Sequence, residues 1–336
     1  MKDAQGRDIN YLRVSLTDKC NLRCMYCMPD ANCNQSEINT NMSIEEISEI
    51  IRTFAELGID KVRFTGGEPL VIKELSQIIY NTSQIIGIKD IALTTNGVFL
   101  EEKIEELKKS GLTRVNISMD TLDEDKYRRI TGRAYLSKVK AGIRKCLDLE
   151  ITPVKINVVI MKDINSEEID DFIHLTEELP VDVRFIELMP IGSGADLFKN
   201  HFISSTEILD NHPELILQSR KKSSTAELYR TKNGKGNIGF ITPLSCKFCN
   251  ECNRVRLTSD GVIRPCLHGE AEYDVLPYVR EGLNNKDGMD EDKNLSLAHG
   301  SLKKKIYEAV YNKPSEHTLL KDGRSKSSKN MFQIGG

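Results

Sequence analysis

No run in this 336-residue chain approaches the roughly 20 consecutive apolar residues that a membrane-crossing helix needs, so no membrane span is expected. Neither sign of charge prevails: 47 Lys and Arg face 50 Asp and Glu, for a net charge of −3. Such a balance gives no global basic field, so nucleic acid is not an expected partner. An anionic ligand would have to meet a local cluster of Arg and Lys instead. The opening residues, Met-Lys-Asp-Ala-Gln-Gly-Arg-Asp, lack the apolar stretch of a secretory signal. Without such a signal, the nine cysteines point to a reducing compartment, the cytoplasm, and to metal work rather than disulfides.

What the chain does contain is a core and two groups of thiols. Hydrophobic residues make up 39% of it, enough for a sizeable globular interior, and its length exceeds one ordinary core while remaining within reach of a barrel. Four cysteines fall within 20–33 and four within 246–266, with Cys146 alone between them. The first group opens as Cys20-x3-Cys24-x2-Cys27, directly after an expected strand at 11–16. A cubane iron–sulfur cluster normally takes four thiolates, so a loop offering three leaves one iron open to a small molecule. Spacing alone leaves rivals standing: a structural zinc site completed by Cys33, or a redox Cys-x2-Cys pair with Cys20 idle. A disulfide fits three clustered thiols poorly. The second group reads Cys246-x2-Cys249-x2-Cys252, then Cys266, and its spacing does not say which of the four bind metal. A closed four-thiolate zinc site is an equal rival there.

Strand and helix alternate from 11 to 190. Apolar runs at 61–65, 90–95, 114–119, 154–161 and 183–189 predict further strands. Amphipathic segments at 44–57, 73–85, 101–109, 123–130, 137–149 and 166–178 predict helices. Ser43 and Glu46 form a capping box for the first helix, and Gly58 suits its stop. Six βα units imply an α/β fold, a parallel sheet wound into a partial or full barrel. The expected organisation is 1–195 as this barrel, 196–320 as an α+β extension, and 321–336 as a flexible polar tail. Within the extension, small strands are expected near 226–231, 237–242, 254–259 and 262–265, a solvated loop over 283–298, and a helix at 301–311.

In such barrels the chemistry gathers at the C-terminal ends of the strands. Those ends carry the cysteine loop, Gly66-Gly67-Glu68-Pro69, Thr94-Thr95-Asn96-Gly97, Ser118-Met119-Asp120 and Glu187-Leu188-Met189-Pro190. Arg63 and Lys155 sit mid-strand among apolar neighbours, where a buried cation must meet an acid or an anionic ligand. Arg254 and Arg256 are two apart and share one strand face, which suits a phosphate or another polyanion as well as it suits a solvated edge.

The motif Cys20-Asn-Leu-Arg-Cys24-Met-Tyr-Cys27, followed one strand later by the Gly-Gly-Glu-Pro turn, resembles the radical S-adenosylmethionine (SAM) superfamily. Within it, Cys249-x2-Cys252-Asn-Arg-x-Arg-Leu-Thr-x-Asp-Gly, then Cys266, and the closing Gly335-Gly336, are similar to the GTP 3′,8-cyclase family of molybdenum cofactor biosynthesis. This resemblance implies an incomplete (β/α)6-type barrel with a second iron–sulfur cluster in the extension. It implies a lyase that converts GTP to (8S)-3′,8-cyclo-7,8-dihydroguanosine 5′-triphosphate, through a 5′-deoxyadenosyl radical that removes the hydrogen at C3′. It places one [4Fe-4S] cluster on Cys20, Cys24 and Cys27 and another on Cys249, Cys252 and Cys266. SAM would meet Tyr26, Gly67, Ser118 and Met189. GTP would meet Arg13, Arg63, Thr94, Lys155, Arg254, Val255 and Arg256, with Gly335 and Gly336 reaching the active site. An external electron donor is implied, as is a downstream cyclic pyranopterin monophosphate synthase that receives the product. A homodimer is one assembly compatible with the sequence. Cys246 departs from the matched pattern. The rivals are a radical SAM peptide-modifying maturase with an auxiliary cluster and a non-catalytic zinc-ribbon binding protein.

Overall fold

The computed structural model describes residues 1–28, 42–218, 225–284, 291–320 and 322–335, with 291–297 described by backbone alone. Its strands are β1 (Tyr11–Ser15), β2 (Lys61–Thr65), β3 (Asp90–Thr95), β4 (Arg114–Ser118), β5 (Val154–Ile160), β6 (Val181–Glu187), β7 (Ile216–Leu217), β8 (Glu227–Arg230), β9 (Ile238–Ile241), β10 (Arg254–Leu257), β11 (Val262–Arg264) and β12 (Tyr273–Asp274). Its helices are α1 (Ile44–Glu56), α2 (Leu75–Ser83), α3 (Leu100–Lys109), α4 (Glu124–Thr131), α5 (Leu136–Asp148), α6 (Ile169–Glu178), α7 (Gly194–His201), α8 (Ser205–Asp210), α9 (Leu276–Asn284) and α10 (Glu291–Tyr311).

β1 to β6 lie side by side in chain order, all parallel, as successive right-handed βα units require. The order is linear rather than circular, which makes the expected barrel a partial one. The extension lengthens the same sheet at both edges: β10 runs parallel to β1, and β9 parallel to β6. Antiparallel strands then finish each edge. The core lies between sheet and helices. Val14, Val62, Phe64, Leu93, Val115, Ile117, Ile156 and Val183 point outward into it and are sealed from solvent. The alternate residues point inward, and most of them are polar, among them Arg13, Arg63, Thr94, Asn116, Lys155 and Arg184.

Local signals placed the helices well. Ser43 Oγ accepts from Glu46 N at 3.1 Å and Glu46 Oε2 accepts from Ser43 N at 2.7 Å, closing the capping box of α1. Gly58 follows that helix with φ +99°, a conformation glycine adopts freely. One expectation fails. α10 begins at Glu291, ten residues before the predicted start, because its polar sequence contains no breaker before Gly300. In the tail, Phe332 and Ile334 are buried, and Arg256 Nη1 donates to the carbonyls of Ile334 and Gly335 at 3.1 and 2.7 Å. Gly336 and Cys33 lie outside the described residues. Among the described residues, no helix is long and apolar enough to cross a membrane.

Candidate functional site

β1 delivers the chain to a loop of tight turns in which the three thiols face one region. Cys27 N and Met28 N both donate to Cys24 O, at 3.0 and 2.8 Å, and Leu22 N donates to Cys20 Sγ at 3.4 Å. Arg23 Nη1 holds the loop from outside by donating to Cys20 O and Leu22 O, both at 2.8 Å. Burial pushes the Cys20 thiol up to about 11. Burial also lifts Cys24 well above its ordinary value, helped by Asp120, Cys27 and Cys20, so the trio is mutually close. Buried thiols gathered in this way favour a positive centre that would stabilise their thiolates.

The Gly-Gly-Glu-Pro turn is built onto that loop by close backbone approach. A Cβ on Gly67 would fall 2.4 Å from Lys19 O, and one on Gly66 2.4 Å from Thr17 O. Gly67 N donates to Thr17 O at 2.6 Å, and Glu68 N to Lys19 O at 2.8 Å. The Glu68 carboxylate then ties the ends of β2 and β3 together, accepting from Thr95 Oγ1 at 2.6 Å, Asn96 N at 2.7 Å and Leu70 N at 2.9 Å. Burial nevertheless raises it to about 7. Asn96 closes the circuit, with its amide nitrogen 3.8 Å from Cys20 Sγ.

Of the residues matched to SAM, Gly67 thus packs against the thiol loop. Tyr26 belongs to the loop itself, and its hydroxyl donates to Asp120 Oδ2 at 2.7 Å. Burial raises Asp120 to about 6, although Tyr26 and the amide of Val159 both donate to it. Tyr26 O and Met189 O both crowd Gly194, where an added Cβ would lie 3.3 and 2.7 Å from them. Ser118 ends β4, opposite Asn157. All four therefore lie at the strand ends that surround the thiols.

Deeper in the barrel, register aligns the cations. Arg13 faces Arg63 on one side and Arg256 on the other. Tyr11 faces Arg254, and its ring lies 5.5 Å from the Arg63 guanidinium carbon. Arg63 Nη1 reaches Thr94 Oγ1 at 3.4 Å. Lys155 sits beside Asn116 and Asp182 on neighbouring strands, and burial, with Arg184 and Arg114 nearby, lowers it to about 7. Burial and Arg254 lower Arg256 to about 10, against the pull of Cys266 and Cys252. The Nε atoms of Arg63, Arg184 and Arg254 are buried with no hydrogen-bond partner, as are Asn116 Oδ1 and Asn157 Oδ1. Arg184 was not singled out from the sequence. It shares the interior face with Asp182 and pairs with Asn157, so strand alternation was the available signal. Val255 is the exception in the matched set: its side chain is buried in the apolar core, so only its backbone can serve the cavity.

The second thiol group sits beside these cations, near Arg254 and Arg256. Burial raises Cys249, the backbone amide of His317 opposes that, and Cys252 and Cys266 add to it. Burial also works against ionisation at Cys252, but Lys313 and Arg254 outweigh it and bring that thiol down to about 7. Cys246 is exposed, outside this trio. Arg7 clamps the site from the other end of the chain, donating to Cys249 O, Pro314 O and Ser315 O at 2.7–2.9 Å. Among the described residues, no three His, Cys, Asp or Glu side chains converge on one metal-ion position. Cys146 is buried in α5.

Comparison with known proteins accords with this geometry. Residues 14–176 match the Radical SAM superfamily and residues 181–319 match Molybdenum Cofactor Synthesis C. The GTP 3′,8-cyclase of Clostridium botulinum strain Hall is 52% identical over 336 residues, covering 100% of each chain. That of Clostridium acetobutylicum is 47% identical, again over 100% of both. The crystal structure of Streptococcus suis SuiB shares the fold, with a TM-score of 0.56 at 15% identity over 88% of this chain and 72% of that one. Full-length identity at this level, with both parts of the chain matched in order, shows that it belongs to the GTP 3′,8-cyclase family of the radical SAM superfamily.

Proposed function

We propose that this chain converts GTP to (8S)-3′,8-cyclo-7,8-dihydroguanosine 5′-triphosphate, the first committed step toward molybdopterin. The observation that supports this reading is a set of buried guanidinium nitrogens without hydrogen-bond partners. Arg63, Arg184 and Arg254 keep guanidinium nitrogens sealed from water without a partner. Desolvating a cation costs several kcal/mol unless an anion repays it. A nucleoside triphosphate is an anion of the right kind, because forked guanidiniums bind phosphate oxygens in pairs.

Superfamily membership brings SAM and an iron–sulfur cluster, and the thiol loop fits them: three thiols, no disulfide among them, and a strand-end rim of Tyr26, Gly67, Ser118 and Met189. We assign the second trio, Cys249, Cys252 and Cys266, to an auxiliary [4Fe-4S] cluster. Bound there, the two clusters would supply the electron that cleaves SAM and an open iron for the purine. The protein's own part is placement. Arg13, Arg63, Lys155, Arg184, Arg254 and Arg256 hold the triphosphate in one orientation. Thr94 and the backbone of Val255 complete the contact surface. Such fixing brings reacting atoms within about 3–3.5 Å and supplies much of the rate. The tail, with Gly335 against Ser15 and Thr65, would lie at the strand ends and help exclude water from the bound substrate. The reaction requires an external electron donor, and its product passes to a cyclic pyranopterin monophosphate synthase. A reducing cytoplasm suits the free thiols.

The test is anaerobic incubation of cluster-reconstituted protein with SAM, dithionite and GTP. Mass spectrometry should find the cyclised triphosphate, with 5′-deoxyadenosine and methionine in equal amounts. Unchanged GTP beside cleaved SAM would defeat the proposal.

A further inference from the structure

From Lys126 to Lys145 the chain carries eight Lys and Arg residues and no Asp or Glu, although the whole chain is nearly charge-balanced. This window runs from the middle of α4 through its C-terminal glycine into α5. It lies directly behind the first thiol loop. Arg23 N donates to Thr131 O at 2.8 Å, and Met25 N donates to Ile130 O at 3.0 Å. Gly132 packs so near that an added Cβ would sit 3.3 Å from Arg23 Cβ. One layer of hydrogen bonds thus joins the loop of Cys20, Cys24 and Cys27 to a surface of exposed Arg128, Arg129, Arg133 and Lys138.

The acids of the neighbourhood do not neutralise that surface. Asp123, Glu124 and Asp125 cap the opposite end of α4. Glu167 and Glu168 are engaged by Lys126, at 2.6 and 2.7 Å. Among the described residues, Arg23, Arg128 and Arg133 form no ion pair. Arg23 spends its donors on backbone carbonyls, which leaves its charge in place.

We propose that this α4–α5 face is the docking surface for a small acidic protein that carries single electrons. The inference rests on the radical SAM reading, since a cluster at the loop needs an electron from outside. In the docked step one electron leaves the carrier, which is oxidised, and one enters the cluster, which is reduced. No bond is made or broken. The location shortens the path, because the thiol loop is bonded to the helix end that bears the charge. The sign selects the partner: opposed fields steer association and fix orientation, and they fade with salt over a Debye length of about 10 Å at 0.1 M.

The probe is an acidic [4Fe-4S] ferredoxin, with binding to the cluster-loaded protein measured by surface plasmon resonance across a salt series. Binding should weaken steadily with salt. The double variant Arg128→Glu/Arg133→Glu should bind at least about tenfold more weakly at low salt, as reversal of steering charges does, while Lys304→Glu on α10 should bind normally. SAM cleavage driven by reduced ferredoxin should fall in parallel, and cleavage driven by dithionite should stay within about twofold. Three results would overturn the proposal: unchanged ferredoxin affinity in the double variant, equal loss with both reductants, or binding of heparin to this face with no measurable ferredoxin affinity. Dithionite-driven GTP cyclisation reports on the enzymatic reading separately, so the two ideas fail independently.

Discussion

Arg184 carries a guanidinium nitrogen that no group of the protein satisfies, and burial together with Arg63 brings its pKa down to about 10. Arg184→Met should therefore leave the GTP-free protein as stable as before, or raise its unfolding midpoint by a few degrees, while GTP affinity falls at least about tenfold. Thermal unfolding with and without GTP checks both halves, and a fall of the GTP-free midpoint would count against a site held open for an anion. Lys155 makes a second residue-scale case. Its folded value of about 7 is depressed from the ordinary lysine range, chiefly by burial. Between about 7 and 10.5 the unfolded chain holds a proton that the folded one has released, so this residue makes stability rise with pH across that window. GTP should restore the proton. Calorimetry in buffers of different ionisation enthalpy should find proton uptake on GTP binding at pH 8 that is nearly absent at pH 6. Lys155→Met should abolish it.

Two elements, the loop after β1 and the segment before β10, gather thiols because tight turns bring neighbouring cysteines to one side. The Cys249 trio excludes the exposed Cys246. Cys246→Ser should leave iron and sulfide content unchanged, whereas Cys249→Ser or Cys266→Ser should remove roughly half of it, one cubane of two. Elemental analysis of anaerobically purified protein decides. The Gly-Gly-Glu-Pro turn is the other sensitive element. Gly67→Ala would drive a methyl group to 2.4 Å from Lys19 O, a contact neither backbone can yield cheaply. We expect it to lower the unfolding midpoint and to impair loading of the first cluster, read as lost visible absorbance.

At the scale of the whole molecule, one sheet, of twelve strands among the described residues, runs through both halves of the sequence. β1 is flanked by β2 and β10, and β6 by β5 and β9, so neither half has a finished edge without the other. The chain should unfold as one cooperative unit. Calorimetry of the metal-free protein should show a single transition, and two well-separated transitions would show that the halves fold alone.

The order of strands and helices in the barrel half was legible in the sequence, because hydrophobic period and capping are local. The capping box at Ser43 and the strand at 61–65 emerged as read. The two groups of thiols were legible for the same reason, since their spacing is short. Arg7 and Lys313 were not. Arg7 reaches Cys249 O across 242 positions, and Lys313 Nζ reaches Arg254 O across 59, so no local pattern announces either. The alignment of Arg13 between Arg63 and Arg256 is likewise a product of register. Sequence by itself determined which residues could ligate a cluster and which strands would alternate outward core with inward charge. Only the tertiary structure decided which cations lie side by side, that Val255 turns its side chain into the apolar core, and that Gly335 packs against Ser15 and Thr65. Those outcomes depend on pairing between strands far apart in the chain, and no single segment encodes that pairing.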